Sequence, residues 1–371
     1  MIFPKRRSRK KRKRIAVAMS GGVDSSLAAA LLLKKGYEVI GVTFRMWPKE
    51  ECGASFGRAC CNLEAVTRAR AVAGDLGIPY YVFDFSEEFK AKVIDYFCEE
   101  YLRGRTPNPC VICNEKIKFG LLREKALALD ADLIATGHYA DKGFDKRTGR
   151  FTLKKGRDEE KDQSYFLFSL SQEQLRYSVF PLSGYTKGKV RTAAKKFKIK
   201  THNTVSSQDI CFIQDLDYAE YIKKKTGVAI KAGDIVNKEG KVLGTHKGIP
   251  YYTIGQRRGL GLAYSEPLYV TGIDRSRNRV IVGVKRDVLK KSLFAHRLNW
   301  IAIKDIDGEL RVKAKIRYNH KAEDATVSRM GQDLVRVDFD LPQEAPTPGQ
   351  AVVFYDNGIV VGGGWIKEMV Q

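Results

Sequence analysis

Several features of membrane and secreted proteins are missing from this sequence. Of its 371 residues 43% are hydrophobic, yet no apolar run approaches the roughly 20 residues that a transmembrane helix needs. The N-terminus is charged rather than apolar, so no secretory signal is visible. The seven cysteines, an odd number, do not suggest a disulfide framework. We therefore expect a cytoplasmic protein that does not bind membranes and uses its cysteines for thiol or metal chemistry.

Acidic residues are scarce relative to basic ones. Lysine and arginine number 66 against 43 aspartates and glutamates, a net charge of +23. Nine of these cations fall within the first fourteen residues: Lys5, Arg6, Arg7, Arg9, Lys10, Lys11, Arg12, Lys13 and Arg14. We expect this basic tail, residues 1–13, to be disordered, and either to follow a phosphate backbone or to keep the chain soluble. A surplus of cations remains without the tail, which favours a polyanionic partner.

A glycine-rich loop near the N-terminus lacks the two common nucleotide-binding signatures. Ser20-Gly21-Gly22-Val23-Asp24-Ser25-Ser26 has neither a Gly-Lys-Ser/Thr ending nor the Gly-x-Gly-x-x-Gly pattern. It stands between a predicted strand, residues 15–19, and a predicted helix, residues 27–35. Paired glycines let successive N–H groups point into one concavity, and the helix adds its positive end. The loop therefore suits phosphate oxygens, and Asp24 could hold a magnesium ion that bridges them.

The pattern of strands and helices predicts three folded parts. Alternating strands and helices over residues 14–215 predict an α/β domain with a parallel sheet and a site at the carboxyl ends of its strands. Residues 216–286 are rich in glycine and form a central domain. Short alternating strands over residues 287–371 predict a small β-barrel. In one of them Arg311, Lys313, Lys315 and Arg317 share a basic face that suits a phosphate backbone.

Cysteines supply the second group of candidate residues. Cys110 and Cys113 stand three apart after a double-proline turn, and Cys211 lies near the end of the first domain, where it could fold back. A Cys-x-x-Cys pair can be half a zinc site, a redox pair, a set of cluster ligands or a coincidence. No second such pair and no closely spaced histidine pair completes a structural zinc site. We expect the remaining cysteines to be structural: Cys52, Cys60, Cys61 and Cys98.

Several motifs occur in an order that resembles one family. They are the glycine-rich loop, Ala135-Thr136-Gly137-His138-Tyr139, Lys161-Asp162-Gln163-Ser164-Tyr165-Phe166, the segment around Cys211, Gly255-Gln256-Arg257-Arg258-Gly259-Leu260-Gly261 and Gly362-Gly363-Gly364. The loop resembles the pyrophosphate loop of the N-type ATP pyrophosphatases, which cleave ATP between the α and β phosphates. From about residue 14 to its end the chain resembles the bacterial tRNA-specific 2-thiouridylases.

This resemblance implies a fold and a reaction. The fold is an α/β N-type ATP pyrophosphatase domain (adenine nucleotide α-hydrolase-like, with a parallel sheet), followed by a small central domain and a C-terminal β-barrel, both of which bind tRNA. ATP, with Mg²⁺, adenylates the C2 oxygen of the wobble uridine of tRNA and releases pyrophosphate. Sulfur from sulfide or a persulfide-carrying protein then displaces AMP to give 2-thiouridine. One chain and one tRNA suffice, so we expect a monomer.

The resemblance also assigns residues to these steps. Contacts with ATP are implied for Ala18, Met19, Ser20, Gly21, Gly22, Val23, Asp24, Ser25, Phe44 and Gly137. Around the flipped-out target base it implies Asn108, Pro109, Cys110, Lys161, Asp162 and Gln163. Positions near the tRNA are matched by His138, Arg317, Tyr318 and Gln350. Cys113 matches the usual nucleophile, and Cys211 matches the residue that carries the persulfide.

Cys110 departs from the best-known pattern of the family, in which many members carry Asp at this position. Here the thiolates of Cys110, Cys113 and Cys211 could hold three irons of a 4Fe-4S cluster and leave the fourth iron open for inorganic sulfide. The resemblance is to the branch with Cys-x-x-Cys plus Cys, for which such a cluster is implied, and we expect one here. A persulfide relay through Cys113 and Cys211 is the alternative.

Two other functions would use parts of the same sequence. The pyrophosphatase domain could serve a ligase that amidates a small carboxylate, as in argininosuccinate or GMP synthesis, but the cysteines and the basic barrel have no task in that chemistry. The chain could also be a non-catalytic RNA-binding protein with a vestigial nucleotide fold, but such a protein would not need intact motifs around Asp24, Cys113 and Cys211.

Overall fold

The computed structural model describes residues 12–46, 63–203, 210–213 and 217–370. These residues form three β-sheets, with most helices around the first sheet. No helix in this part of the chain is long and apolar enough to cross a membrane. The basic tail up to Lys11, and Cys52, Cys60 and Cys61, lie outside the described residues.

The first sheet is parallel, as predicted. Its strands are β1 (Arg14–Ala18), β2 (Glu38–Arg45), β3 (Tyr80–Asp84), β4 (Leu133–Ala135) and β7 (Ser178–Val179). All five run parallel in the order β3-β2-β1-β4-β7. The order of the strands reverses beside β1, and open α/β sheets bind ligands at such a point, outside the carboxyl ends of the strands.

Helices cover both faces of this sheet because β1 is apolar on both sides. Ala16 packs in one buried cluster, whereas Ile15 and Val17 pack with Leu27 in another. The α-helices among the described residues are α1 (Val23–Lys34), α2 (Leu63–Asp75), α3 (Ser86–Phe89), α4 (Asp95–Leu102), α5 (Pro109–Ile112), α6 (Leu122–Ala128), α7 (Gln172–Tyr177), α8 (Lys187–Lys196) and α9 (Tyr218–Thr226).

One long helix carries two of the cysteines. It runs without a break through α5, a π-helical segment (Cys113–Leu121) and α6. Pro109 fits its first turn, where the missing N–H has no helical partner, and Asn108 caps it by accepting a hydrogen bond from Val111 N at 3.4 Å. The predicted double-proline turn is thus followed directly by a helix with Cys110 and Cys113, called the cysteine helix below.

A small second sheet forms the centre of the chain. It contains β8 (Gly233–Val236), β9 (Val242–His246), β10 (Tyr269–Asp274) and β11 (Arg279–Gly283), in the order β10-β11-β8-β9. Ile235, Val270 and Val280 are buried in its own apolar cluster. This sheet therefore has a core separate from that of the first sheet.

Six antiparallel strands close the C-terminal barrel that the alternating pattern predicted. They are β12 (Leu289–Trp300), β13 (Glu309–Lys315), β14 (Glu323–Gly331), β15 (Leu334–Glu344), β16 (Ala351–Asp356) and β17 (Ile359–Met369). Pairing of β12 with both β15 and β17 closes the barrel. A hairpin of β5 (Ala140–Asp145) and β6 (Arg150–Lys155), which the sequence analysis did not predict, extends the sheet beyond β17. The barrel therefore shares a sheet with the N-terminal half of the chain.

Candidate active site

The glycine-rich loop joins β1 to α1 at the carboxyl edge of the sheet. Gly21 has a φ of +72°, and a Cβ there would stand 2.4 Å from Ala65 O, so the loop requires glycine. Because α1 begins at Val23, the first N–H groups of that helix have no helical partner and remain available to an anion. An anion could therefore bind here, and phosphate binding by this loop stays a prediction.

Serine hydroxyls brace the loop from within. The Ser25 hydroxyl accepts a hydrogen bond from Ser20 N at 3.1 Å and donates to Gly22 O at 3.2 Å. The Ser26 hydroxyl donates to the same carbonyl at 2.9 Å. The loop conformation is therefore fixed by its own side chains before any ligand binds.

Three of the other predicted ATP contacts lie where β1 and β2 end. Ala18 is the last residue of β1, and the Met19 N–H that follows donates to Val42 O at 2.8 Å. Phe44, near the end of β2, is 6% exposed and packs against Phe85 with ring centroids 5.4 Å apart. Met19 and Phe44 are thus buried at the base of the site.

Asp24 is the charged group of the loop, and it is already paired. Its two carboxylate oxygens lie 2.7 and 2.6 Å from Lys187 Nζ, and the Tyr139 hydroxyl donates to Oδ1 at 2.6 Å. The side chain of Asp24 is 29% exposed and that of Lys187 is 14% exposed, so solvent still reaches the carboxylate. Burial, followed by the charge of Asp24, raises the pKa of Tyr139, so the phenol stays protonated as a donor.

The donor type of Asp24 fits the predicted magnesium ion. Proteins commonly hold Mg²⁺ through one or two carboxylates together with the phosphates of the substrate. Lys187 and Tyr139 already contact the Asp24 oxygens, so a magnesium ion would compete with them for this carboxylate.

Lys187 is a candidate functional residue that the sequence analysis missed. It opens α8, the Thr186 hydroxyl caps that helix, and Lys187 N donates to Asp158 Oδ2 at 2.7 Å. Since β7 lies next to β4 in the sheet, the chain after β7 reaches the edge where β1 and β4 end. A threonine before a basic helix was the signal available in the sequence, and that pattern is too common to identify a site.

Gly137, a predicted ATP contact, packs directly on the loop. A Cβ at Gly137 would stand 2.8 Å from Ser25 N and 2.9 Å from the carbonyl carbon of Asp24. A larger residue would therefore push the segment after β4 away from the loop. Gly137 therefore lies against the loop, and its contact with ATP stays a prediction.

The neighbouring His138 is buried rather than presented to a ligand. Its Nδ1 lies 2.8 Å from Thr136 Oγ1, and its ring packs near Phe119 and Phe180, with centroids 5.9 and 6.5 Å away. Burial, with a smaller effect from Lys118, lowers the pKa of the imidazole well below its ordinary value. His138 is therefore neutral at physiological pH, and its contact with tRNA stays a prediction.

The Lys161-Asp162-Gln163 segment is joined to the chain after β4. Gln163 Oε1 accepts from Tyr139 N at 3.1 Å, and Gln163 N donates to Tyr139 O at 2.8 Å. Asp162 is 4% exposed and accepts hydrogen bonds from Gly156 N and from both the N–H and the hydroxyl of Ser164. Burial raises the pKa of Asp162 although these bonds oppose the shift. Asp162 therefore holds the segment together through these bonds, and the segment would have to open before this side chain could touch a base. Lys161 is half-buried.

The three predicted sulfur residues differ in exposure. Cys110 is exposed, Cys113 is buried and Cys211 is half-buried. Cys113 lies in the larger apolar cluster of the first sheet, and Cys211 packs against the same cluster. The neighbouring Phe212 packs on Phe97, with ring centroids 5.1 Å apart. The Cys211 segment therefore folds back on the first domain.

The iron–sulfur cluster expected on these thiols stays a prediction. Three cysteine ligands of a 4Fe-4S cluster must surround one centre. Within the described residues, which include Cys110, Cys113 and Cys211, no group of three His, Cys, Asp or Glu side chains could hold a metal ion. We therefore derive no chemical step from a cluster.

Tyr318, a predicted tRNA contact, packs toward the cysteine helix. Its ring lies 4.6 Å from that of Phe166, and Phe166 O accepts a hydrogen bond from Asn114 Nδ2 at 3.0 Å. Asn114 is the neighbour of Cys113 on the cysteine helix. Tyr318 thus contributes to the junction between the barrel and the first domain.

Arg317 and Gln350, also predicted tRNA contacts, form hydrogen bonds within the chain. Arg317 Nη2 donates to Glu344 O at 2.7 Å. Gln350 Nε2 donates to Thr106 O at 3.1 Å and to Pro107 O at 3.0 Å. Both side chains therefore have partners before any tRNA binds.

The basic face expected on β13 is partly neutralised by the neighbouring strands. Arg311 forms a bidentate pair with Asp340 at 2.9 and 2.8 Å, and Lys313 contacts both oxygens of Asp324 at 3.0 and 2.9 Å. Lys315 is half-buried between aromatic rings, and burial lowers the pKa of its amine. This strand is thus not an open row of cations.

Three family models match consecutive parts of the chain. The tRNA methyl transferase HUP domain matches residues 13–215, and the tRNA methyl transferase PRC-barrel domain matches residues 219–284. The aminomethyltransferase beta-barrel domain matches residues 290–366. Together they span the three sheets.

Curated relatives cover nearly the whole chain. The tRNA-specific 2-thiouridylase MnmA of Clostridioides difficile is 48% identical over 356 residues, which cover 96% of this chain and 98% of the relative. The proteins of the same name from Carboxydothermus hydrogenoformans and Moorella thermoacetica are each 50% identical over 96% of this chain, and over 98% and 99% of their own lengths.

Solved structures show a more distant likeness. A 4-thiouridine synthetase in complex with RNA and bound ATP is 19% identical, covers 54% of this chain and 45% of its own, and has a TM-score of 0.35. That score is too low to support an inference. The family models and the nearly full-length identities do support one: the chain belongs to the family of tRNA-specific 2-thiouridylases, which are sulfurtransferases.

Proposed function

We propose that this protein uses ATP to activate the wobble uridine of tRNA and replaces the C2 oxygen of that base with sulfur. One observation carries the proposal: the phosphate-binding loop and the segment expected around the target base are joined through a single residue, Tyr139. Its hydroxyl bonds to Asp24 in the loop, and its main chain forms two hydrogen bonds with Gln163. ATP and base would therefore meet at this point.

In the first half of the reaction, the loop binds the phosphates of ATP. The uridine C2 oxygen attacks the α-phosphorus, the bond to the β-phosphate oxygen breaks, and pyrophosphate leaves. Such transfers depend on positioning and on charge placed at the phosphates. The N-terminus of α1 and Lys187 supply positive charge. Because Gly137 has no side chain, the segment after β4 can lie directly against the loop. Magnesium held by Asp24 would supply further charge neutralisation.

In the second half, sulfur arrives as a persulfide on Cys211. Its terminal sulfur attacks C2, and the C2–oxygen bond breaks so that AMP leaves. The Cys113 thiolate then attacks the Cys211 sulfur, which releases 2-thiouridine and joins Cys113 to Cys211 in a disulfide. A thiol reductant must restore both thiols before the next turnover.

A single reaction mixture tests the proposal against its rivals. Purified protein is incubated with ATP, Mg²⁺, unmodified tRNA, a persulfide donor and a thiol reductant. We expect AMP, pyrophosphate and thiolated tRNA in equal amounts. ATP cleavage without sulfur in the tRNA would favour the amidating ligase, and tRNA binding without turnover would favour the non-catalytic RNA-binding protein.

A variant of Cys110 distinguishes the persulfide relay from the iron–sulfur cluster. The relay does not use this exposed thiol, so Cys110→Ser should thiolate tRNA within about twofold of the wild type, as expected for an exposed substitution. The wild type prepared without oxygen should contain no stoichiometric iron. Iron in that preparation, together with an inactive Cys110→Ser variant, would instead establish the cluster. Cys98→Ala serves as a control because Cys98 lies in the core.

A further inference from the structure

One cation on β13 differs from its neighbours on the same face of the strand. Arg311 and Lys313 are paired with carboxylates. Lys315 is half-buried, and within the described residues no carboxylate oxygen lies in ion-pair distance of its amine. The amine lies instead over the rings of Tyr165 and Tyr318, 5.8 and 5.4 Å from their centroids. Lys315 is therefore held by aromatic rings and keeps its positive charge unpaired.

The register of β13 explains this difference. Asp324 on β14 stands directly opposite Lys313, whereas the pairing between these two strands ends at Ala314. On the other side of β13, Lys315 stands opposite Val353 of β16. Neither neighbouring strand therefore places a carboxylate opposite Lys315.

A second ammonium group lies nearby, on the hairpin that extends the barrel sheet. Lys155 ends β6, and its amine lies over the ring of Tyr355, 4.8 Å from the centroid. Burial lowers the pKa of the Lys315 amine, Asp162 opposes this shift, and the positive charge of Lys155 adds to it. The amines of Lys155 and Lys315 are therefore close enough to repel each other.

Asp162, the acidic residue that acts on Lys315, already has other donors. Gly156 N and Ser164 N donate to its Oδ1 at 3.0 and 3.1 Å, and the Ser164 hydroxyl donates to its Oδ2 at 2.8 Å. An ammonium group carries three N–H donors, and leaving them without an acceptor in a half-buried place is costly. The donors of Lys315 are therefore available to an anion from outside the chain.

We infer that Lys315 and Lys155 together bind one phosphate group of the tRNA backbone, next to the target uridine. A phosphate between the two amines would remove their repulsion and accept hydrogen bonds from both. Lys315 also lies between two segments that are expected at the tRNA. On one side is Tyr318, and on the other is Tyr165, which closely follows the Lys161-Asp162-Gln163 segment. The inference rests on the proposed function for the identity of the RNA.

Lys315→Met tests the inference, since it keeps the length of the side chain and removes the ammonium group. We expect the Kd for unmodified tRNA to rise about tenfold, equal to about 1.4 kcal/mol. The slope of log K against log salt concentration should become smaller by about one, as for the loss of one phosphate contact. Because both amines bind the same phosphate, the double variant with Lys155→Met should lose less affinity than the two single losses together. Fluorescence anisotropy of labelled tRNA without ATP measures these values.

Lys313→Met is the matched control, because it makes the same change two residues earlier on the same face. Lys313 is already paired with Asp324, so this variant should bind tRNA within about twofold of the wild type. A measurement on the wild type needs no variant to fold: bound tRNA should slow the acetylation of Lys315 by acetic anhydride and leave that of Lys313 unchanged. Peptide mapping by mass spectrometry gives both rates.

Three results would overturn the inference. The first is equal affinity and equal salt dependence in Lys315→Met and Lys313→Met, with acetylation of Lys315 that tRNA does not slow. The second is unchanged tRNA binding with weaker uptake of sulfur from a persulfide-carrying protein, which would assign the two amines to that protein. Both leave the proposed function standing. A wild type that binds no tRNA would contradict the proposed function as well.

Discussion

Replacement of Cys113 with serine is expected to stop the formation of 2-thiouridine while leaving activation of the base intact. Without a thiol reductant the rate of 2-thiouridine formation in a single turnover should fall at least about a thousandfold, because loss of a covalent nucleophile leaves mainly binding and charge stabilisation. The transferred sulfur would remain bonded to Cys211, which links the enzyme to tRNA. Without reductant, pyrophosphate release should stop after one turnover in the variant and in the wild type alike, so the protein–tRNA link is what distinguishes the variant. Non-reducing gels that show a protein–tRNA band, and its loss on reduction, measure this outcome.

Cys98→Ala is the matched control for Cys113. Cys98 is 2% exposed, and burial raises its pKa to about 11, so its thiol stays protonated and shielded from solvent. This variant should thiolate tRNA like the wild type. Formation of 2-thiouridine at the wild-type rate by Cys113→Ser, without added thiol, would show that another group releases the sulfur.

Replacement of Lys187 with methionine is expected to impair ATP cleavage. The change keeps the length of the side chain and removes the cation that lies 2.7 and 2.6 Å from the oxygens of Asp24. We expect kcat/KM for ATP to fall about 100- to 1000-fold, as when one preorganised donor is removed from a transition state. The measurement is pyrophosphate release in the presence of tRNA over a range of ATP concentrations.

Lys189 provides the control on the same helix. Its side chain is exposed, and Lys189→Met changes the net charge equally without touching the loop. It should retain wild-type kinetics for ATP. Normal ATP kinetics in Lys187→Met would mean that Lys187 stabilises the fold through its ion pair with Asp24 and does not act on the phosphates. The free energy of unfolding of the variant would then measure the contribution of that ion pair to stability.

Local sequence was enough to predict the elements around the glycine-rich loop. The apolar run of β1, the paired glycines and the following helix predicted a strand, a loop and a helix, and the structure has all three. Gly21 shows why. Its φ is positive and a Cβ at this position would clash with Ala65 O, so the loop conformation requires the glycine that the sequence has here. Alternation of apolar residues likewise predicted the barrel strands, although β13 ends at Lys315, earlier than expected.

Contacts between distant segments could not be predicted in the same way. Lys187 is 163 residues from Asp24 in the sequence, and Gln350 is 244 residues from Thr106. Their pairing depends on the order of strands in the sheet and on how the barrel docks, which no local pattern encodes. The basic face of β13 is a related case. The strand itself was predicted, but the carboxylates on β14 and β15 that pair with its cations were not.

The sequence by itself determined the glycine-rich loop, the parallel sheet, the barrel and the identity of the candidate sulfur residues. These features follow from backbone sterics, from the periodicity of apolar side chains and from motifs that lie within a few residues of one another. Only the tertiary structure decided that Lys187 faces Asp24, that Cys113 is buried while Cys110 is exposed, and that Gln350 bonds to Thr106 and Pro107. Such facts depend on where segments far apart in the chain come to lie, because hydrogen bonds and ion pairs act over a few ångströms of space.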